Sequence, residues 1–222
     1  MRILYHLPLS SHAREIRVLL KEKKLEFELR VEKVWERRAE FLAINPAGQV
    51  PVLVEDDGTV VSEASVIAEY LEEMHPEPML IGATPQARAE VRRVFAWFDR
   101  KFASEVTQNL VGEKMMKRFL GLGQPSSEAI RAGIQNIRYH LDYVGFLTER
   151  RNWLAGDAFS LADIAAGAQL STVDYIGDVP WDDFPRAREW YARLKSRPSF
   201  RPLLADHIPG APPPAHYADL DF

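Results

Sequence analysis

The chain has 222 residues, of which 46% are hydrophobic, enough to bury the core of one large domain or of two small domains that share an interface. Its 28 basic and 32 acidic side chains are well mixed and give a net charge of -4, a balance that favours neither nucleic acid nor an anionic membrane as a partner. The absence of cysteine excludes disulfides, thiolate metal sites and cysteine redox chemistry, and no apolar run reaches membrane-spanning length, so we expect a cytoplasmic protein.

The first third of the chain predicts short strands and helices in alternation. A helix is predicted after Ser10 and Ser11, because both are good N-cap residues and the apolar positions that follow have helical spacing. Residues 26–32 alternate apolar and charged side chains, which predicts a strand with one dry and one wet face. The other predicted elements are a strand at 2–6, a short helix at 36–42, a hairpin of 50–54 with 59–61, and a helix at 63–74. This order, β-α-β-α-β-β-α, is that of a thioredoxin-like domain.

The sequence His-Pro-Glu-Pro at residues 75–78 predicts a linker, because it breaks the pattern and everything after it has helical spacing. We therefore expect residues 1–76 to form the α/β domain and residues 85–206 to form an all-helical bundle. Within the bundle, Ser160 and Asp163 have the spacing of a capping box, with Asp in place of the usual Glu or Gln. The nearly uncharged helix that they open predicts the core of the second domain.

The last segment, residues 207–222, predicts an extended tail, because its sequence from residue 209 is Pro-Gly-Ala-Pro-Pro-Pro. It ends in alternating acidic and apolar residues: Asp219, Leu220, Asp221 and Phe222. Two interpretations are open. The end of the tail can be a peptide-like ligand for a partner, or the tail can lie along its own domain.

The most informative stretch is Asn-Pro-Ala-Gly-Gln-Val-Pro-Val-Leu at residues 45–53, a turn that leads into a short apolar strand. Pro51 conflicts with a central strand because proline cannot donate to a strand ladder. A cis bond between Val50 and Pro51 in a tight turn resolves the conflict. The Val50 amide and carbonyl would then point outward, where an extended peptide can pair with them. The stretch therefore predicts a surface that holds a small peptide.

This stretch resembles the glutathione-site turn of the glutathione S-transferase (GST) superfamily. Two further motifs follow in the order found in that superfamily: Glu-Ala-Ser-Val-Ile-Ala-Glu-Tyr-Leu at residues 63–71 and Ser-Leu-Ala-Asp at residues 160–163. The resemblance implies the GST fold, with a thioredoxin-like α/β domain followed by an all-α helical bundle, and it implies a homodimer.

The resemblance also implies where glutathione would bind if the chain is an enzyme. Ser10 matches the residue near the start of the first helix that stabilises the glutathione thiolate, and a serine there is equally an ordinary N-cap. The turn at Gln49, Val50 and Pro51 matches the part of the site that holds the peptide backbone of the ligand.

The anchor for the γ-glutamyl carboxylate departs from the superfamily pattern. The usual Glu-Ser pair at the start of the third helix is Glu63-Ala64 here, so one hydroxyl is missing. A hydrogen bond to a charged group contributes roughly 1.5–3 kcal/mol, so its loss predicts about ten- to hundredfold weaker glutathione binding. Ser65 lies one residue late, about 100° further around the helix, and is not expected to replace it.

A charged stretch around Trp35 supports a different function. Large aromatic residues flanked by arginines, here Arg37 and Arg38, are favoured at interface hot spots, although Trp35 can instead be a lid over the site or part of the core. Residues 34–48 and the end of the tail resemble the GST-like regulators of bacterial cell division, which bind filaments of the tubulin-like protein FtsZ. This resemblance implies a dimer at the division site that bundles or bends FtsZ filaments. Our hypothesis is that Trp35, Arg37, Arg38 and residues 219–222 make the contacts.

Two functions therefore remain open. One is a non-catalytic regulator that needs no cofactor, and the other is a transferase, or another glutathione-dependent enzyme, that uses Ser10. The six histidines show no metal-ligand spacing with carboxylates, and we expect no metal, no nucleic acid and no membrane insertion.

Overall fold

The N-terminal domain is a mixed sheet with helices, and it confirms the predicted thioredoxin-like order. The computed structural model describes residues 1–220. The elements of this domain are β1 (Arg2–His6), α1 (Ser11–Glu22), β2 (Phe27–Val31), α2 (Ala39–Ile44), β3 (Val52–Val54), β4 (Val60–Ser62) and α3 (Ala64–Met74). The strand order is β2-β1-β3-β4, with β2 parallel to β1 and the other two pairs antiparallel.

Leu4 lies at the centre of this sheet. It pairs with Leu29 on β2 and with Leu53 on β3, and both Leu4 and Leu53 are fully buried. The dry face predicted for β2 is only partly covered, since Leu29 is 39% exposed and Val31 is 59% exposed. Because β2 is the edge strand, only Phe27 at its start packs against the core.

The C-terminal domain is all-helical, as the fold class required. Its first helix begins where the sequence predicted, because Thr84 accepts a hydrogen bond from the Ala87 amide at 3.1 Å and Pro85 occupies the first turn. The helices are α4 (Pro85–Ala96), a π-helical segment (Trp97–Met116), α5 (Lys117–Leu120), α6 (Ser127–Thr148), α7 (Leu161–Tyr175), α8 (Pro185–Lys195) and α9 (Arg201–Leu204). Within residues 1–220, no helix is both long enough and apolar enough to cross a bilayer.

Helix α7 is the core of the C-terminal domain. Every one of its residues is buried, as the nearly uncharged sequence predicted. Gly167 lies where the packing is closest, since a Cβ at this position would collide with the Leu194 side chain. The helix therefore cannot shift without disturbing the elements around it.

The predicted capping box at the start of α7 is present, and it also connects distant segments. The Asp163 carboxylate accepts hydrogen bonds from the Ser160 amide and hydroxyl, both at 3.1 Å. It also accepts from the Leu154 amide and the Trp190 indole, both at 3.0 Å. One buried carboxylate thus joins the preceding turn, α7 and α8.

The two domains meet where α1 packs against α7, and Arg14 of α1 is fully buried there. Its guanidinium donates to the Ser171 hydroxyl on α7 at 3.0 Å and to the Pro8 carbonyl at 2.6 Å. Arg17 makes a bidentate ion pair with Asp206, with N–O distances of 2.7 and 2.9 Å. Because a buried charge is costly unless it is paired and hydrogen-bonded, the domain interface depends on these contacts.

The tail lies along its own domain up to residue 220, in agreement with the second of the two interpretations. Tyr217 is fully buried, and Leu220 is partly buried against the core. The Pro-rich segment before them is held by Tyr175, whose hydroxyl contacts the backbone of Ile208 and Ala211. Asp221 and Phe222, which the partner prediction included, lie outside the described residues.

Replacing Asp163 with alanine tests the capping box. Asp163→Ala removes the acceptor of buried donors on Ser160, Leu154 and Trp190, and each unsatisfied buried donor costs about 1–3 kcal/mol. We expect the free energy of unfolding to fall by roughly 3–5 kcal/mol in denaturant titrations. Asp157→Ala, in the exposed turn before the box, is the control and should change it by less than about 0.5 kcal/mol. Equal losses from the two variants would contradict the role given to the box.

Candidate functional site

A cleft of about 480 Å³ lies between the two domains, at the N-terminal end of α1. One wall comes from Ser10 and His12 of the first helix and from Gln49 and Val50 of the turn before β3. The other wall comes from the π-helical segment, from Arg100 to Met116. The cleft thus brings the predicted Ser10 and the predicted turn together.

Ser10 is the N-cap of α1. Its hydroxyl oxygen accepts a hydrogen bond from the Ala13 amide at 3.2 Å. This contact uses an acceptor position of the oxygen, so the hydroxyl proton remains available to a ligand in the cleft. Capping and contact with a ligand are therefore compatible roles for this residue.

The bond between Val50 and Pro51 is cis, as the sequence predicted. The turn before it requires Gly48, whose φ of +65° lies in the left-handed region. Asn45 fixes the turn by donating to the Gln49 carbonyl at 2.9 Å. No hydrogen bond joins the amide or carbonyl of Val50 to any other residue of the 1–220 range, so both groups are open to a ligand backbone.

The start of α3 carries its own anion. Glu63 is the N-cap, and its carboxylate accepts hydrogen bonds from the Val66 amide at 3.2 Å and from the Ser65 hydroxyl. Ala64 is buried and offers no polar atom. The hydroxyl and one of the amides that could receive a carboxylate at this helix start are therefore already bound by the chain itself.

The structure adds a pair that the sequence did not predict. His12 Nε2 lies 3.1 Å from the Asp99 carbonyl and 3.3 Å from its carboxylate Oδ1. Burial acts to lower the pKa of His12, but the hydrogen bond to Asp99 and the charge of that carboxylate outweigh it and raise the pKa above its ordinary value. The two residues are far apart in sequence, so no local pattern connects them.

Trp35 connects the two domains beside the cleft. Its ring stacks on Phe119 of α5, with ring centroids 6.2 Å apart and an angle of 11° between the planes. The neighbouring residues Val34 and Met116 line the cleft. Trp35 is half-buried in this position, so part of its side chain remains accessible to a partner.

The two arginines beside Trp35 differ in their surroundings. Arg38 makes a bidentate ion pair with the buried Glu32, with N–O distances of 2.6 and 3.2 Å. This pair holds the segment around Trp35 in place. Arg37 is exposed, has a left-handed φ of 45°, and has no ion pair within residues 1–220. Only Arg37 is fully available to an acidic partner.

Of the tail residues predicted to contact a partner, Asp219 and Leu220 lie among the described residues. Asp219 is exposed, and its amide donates to the His216 carbonyl at 3.1 Å. In residues 1–220 no cluster of three or more His, Asp or Glu side chains is arranged to hold a metal ion.

Known proteins similar to this chain include glutathione S-transferases and a protein of bacterial cell division. Two family models match, the glutathione S-transferase N-terminal domain over residues 9–74 and its C-terminal domain over residues 81–193. The chain is 50% identical to the FtsZ-localized protein A of Caulobacter vibrioides, over 100% of this chain and 98% of that protein. The structure of FzlA from C. crescentus superposes with a TM-score of 0.96 at 50% identity, covering 100% of this chain and 99% of that one. A glutathione S-transferase from Rhodospirillum rubrum F11 superposes with a TM-score of 0.98 at 56% identity, with 100% of both chains covered.

The His12–Asp99 contact predicts a pH dependence of stability. Because the pKa of His12 is raised in the folded state, the contact stabilises the fold below the ordinary value of 6.5 and is lost as the pH rises through the higher folded value. We expect His12→Gln to lower the free energy of unfolding by up to about 1 kcal/mol near pH 6, and by less above pH 8, since the ring is partly exposed.

Denaturant titrations at the two pH values measure this difference. Asp99→Asn should remove the same pH-dependent part, and the double variant should add nothing to it. A loss that grows as the pH rises would show that the charged form of His12 is not the stabilised one.

Proposed function

The chain belongs to the glutathione S-transferase family, and from this premise we propose that it is a non-catalytic, GST-like regulator of bacterial cell division. In this role it binds FtsZ filaments as a cytoplasmic dimer at the division site and bundles or curves them. The observation that carries the proposal is the 50% identity to FtsZ-localized protein A over the whole chain, tail included. A relative with that name and that coverage supports a shared role in cell division.

The surface around Trp35 supports protein binding. Phe119, on which Trp35 stacks, and Leu122 are exposed apolar residues from the other domain. Arg37 and Arg118 are exposed, and neither has an ion pair among the described residues. Aromatic and arginine side chains together are typical of interface hot spots, and the charges favour an acidic partner.

A second surface supports the dimer. A groove of about 500 Å³ lies between α3 and α4 and is lined by Val66, Glu69 and Glu73 on one side and by Arg92 and Phe95 on the other. Val66 is 51% exposed. Glu69 and Arg92 pair with each other at 2.7 Å, and the exposed Val66 lies on the same surface, so a second copy related by a two-fold axis can pack its own Val66 surface there.

The dimer gives bundling a physical route. A two-fold dimer presents every partner surface twice. Two weak contacts, on one filament or on two, then gain through effective concentration. Neither contact needs to be tight on its own.

The start of α3 favours a role without catalysis. Ala64 removes the hydroxyl that the superfamily uses, and Glu63 already binds the Ser65 hydroxyl and the Val66 amide. The site therefore keeps its fold while its contacts for a ligand carboxylate are reduced. A regulator that acts through its surfaces does not need them.

The alternative is a glutathione transferase or another glutathione-dependent enzyme. The position of Ser10 favours it, because this hydroxyl lies in the cleft beside the open Val50 backbone. In that reaction Ser10 would donate a hydrogen bond to the ligand thiolate and so lower its pKa. The two proposals differ in whether the cleft or the outer surface is used.

Co-sedimentation with GTP-assembled FtsZ filaments tests the first proposal. The native chain should pellet with the filaments, and Trp35→Ala should reduce the pelleted fraction at least tenfold, because hot-spot truncation costs about 2 kcal/mol or more. Removal of residues 219–222 should also reduce it. This short deletion leaves the buried Tyr217 in place, so a loss reports on contact rather than on folding.

Met79→Ala is the control, since Met79 is an exposed apolar residue of the linker. It should pellet like the native chain. Sedimentation velocity and thermal unfolding check that each variant remains dimeric and folded. Pelleting that is unchanged in Trp35→Ala would contradict the assignment of Trp35, and a native chain that stays in the supernatant would contradict the function.

Calorimetry with glutathione separates the two classes. We expect no binding to the native chain at low millimolar concentration. Ala64→Ser restores the missing hydroxyl and should strengthen binding by roughly ten- to hundredfold, because a hydrogen bond to a charged group is restored. Clear binding by the native chain, with turnover that is lost in Ser10→Ala, would support the enzyme instead.

A further inference from the structure

We propose that residues 207–220 of the C-terminal tail bind the partner and are already folded before it arrives. Tyr217 keeps them in this conformation, which we call the locked state, and we call Tyr217 the lock. This inference rests on the proposed function and deepens it, because it states how the tail contributes to filament binding. The alternative is a peptide that becomes ordered only on the filament. The two differ in the state of the tail before the partner arrives.

Tyr217 is anchored from both domains. Its ring is fully buried, and it lies edge-on to Tyr175 with ring centroids 5.1 Å apart. Its hydroxyl accepts a hydrogen bond from Arg14 at 3.0 Å and donates to the Leu203 carbonyl at 3.1 Å. Arg14 belongs to α1 of the first domain, so one side chain of the tail joins both domains.

The base of the tail is held independently. The Tyr175 hydroxyl accepts from the Ile208 amide at 2.8 Å and donates to the Ala211 carbonyl at 2.9 Å. The Ala211 amide also donates back to the Ile208 carbonyl at 3.0 Å. Two tyrosines, at the two ends of the proline-rich segment, thus fix the course of the tail.

A third contact holds the residue before Tyr217. The His216 ring lies 3.0 Å from the Asp174 carboxylate, and the Lys195 ammonium donates to the His216 carbonyl at 3.0 Å. Lys195 and Asp174 are both fully buried. Two buried charged side chains thus contact one turn of the tail, so this turn is fixed by specific polar contacts.

The consequence is that the partner meets residues 218–220 in a fixed place. Asp219 is exposed, and its amide donates to the His216 carbonyl, which closes the turn of residues 216–219. A segment that is already ordered does not lose its conformational freedom on binding, so the weak contacts of a short acidic and apolar end suffice. Apparent affinity then depends on the fraction of molecules in which the tail is locked.

Hydrogen exchange and filament affinity, measured on the same variants, test this proposal. Tyr217→Phe removes the hydrogen bonds to Arg14 and Leu203 and should speed exchange of the Tyr217 and Asp219 amides by roughly ten- to hundredfold. Tyr217→Ala also empties the ring site and should speed it by about a thousandfold or more. The affinity should fall in proportion to the locked fraction that exchange reports for each variant, which is a tenfold loss where Tyr217→Ala leaves the tail locked in one molecule of ten.

Tyr175→Phe provides a second variant should Tyr217→Ala not fold. It removes the two contacts at the base of the tail and should speed exchange of the Ile208 amide. His207→Ala, an exposed change at the start of the tail, is the control and should alter neither quantity. Amides of the buried α7 report on global unfolding and should remain protected in every variant.

The outcomes separate the lock from the function. Fast exchange of the native tail would overturn the lock, and so would a variant whose tail is mostly open and whose affinity is unchanged. Loss of affinity with the tail amides still protected would assign Tyr217 to a different role and also overturn it. If the native chain does not bind filaments at all, the proposed function fails, while the exchange rates still measure whether the tail is prefolded.

Discussion

The structure depends on one buried cation. Arg14 has no exposed surface, and its guanidinium donates to three parts of the chain: from Nε to the Pro8 carbonyl before α1, and from Nη1 to the Ser171 hydroxyl on α7 and the Tyr217 hydroxyl of the tail. A guanidinium can satisfy several acceptors at once because its donors are fixed in one plane. Without such partners, the cost of removing the charge from water would separate the domains rather than join them.

The same cation sets the electrostatics around it. Asp206 is the carboxylate that both Arg14 and Arg17 contact, at 3.5 and 2.7 Å. The nearby His6 cannot add a further positive charge: burial and the charges of Arg17 and Arg14 lower its pKa to about 4. A neutral His6 leaves the two arginines directed at Asp206 and at the tail. The interface is therefore held by the charges of Arg14, Arg17 and Asp206, without a further positive charge on His6.

Features encoded within a few residues were predictable, whereas pairs distant in sequence were not. The helix starts at Ser10 and Ser160, the cis bond before Pro51 and the buried α7 follow from short patterns of residue type and spacing. The contacts of His12 with Asp99 and of Trp35 with Phe119 join the two domains, and no local pattern encodes them. Tyr217 was one aromatic residue in a proline-rich tail, and only the position of Arg14 shows that it is an anchor.

The cleft and the outer surface both depend on the contacts between the two domains. At the starts of α1 and α3, Ser10 and Glu63 cap the helices; Ser10 keeps its hydroxyl proton free for a ligand, whereas the Glu63 carboxylate occupies the start of α3. Elsewhere, the stack of Trp35 on Phe119 joins the domains, and so does Arg14, which also contacts the tail at Tyr217. Each connection crosses from one domain to the other, so the relative position of the domains also fixes the position of the partner surfaces. A fold that shapes a cleft between two domains also holds distant surface residues at a constant separation, because the same contacts between the domains fix both.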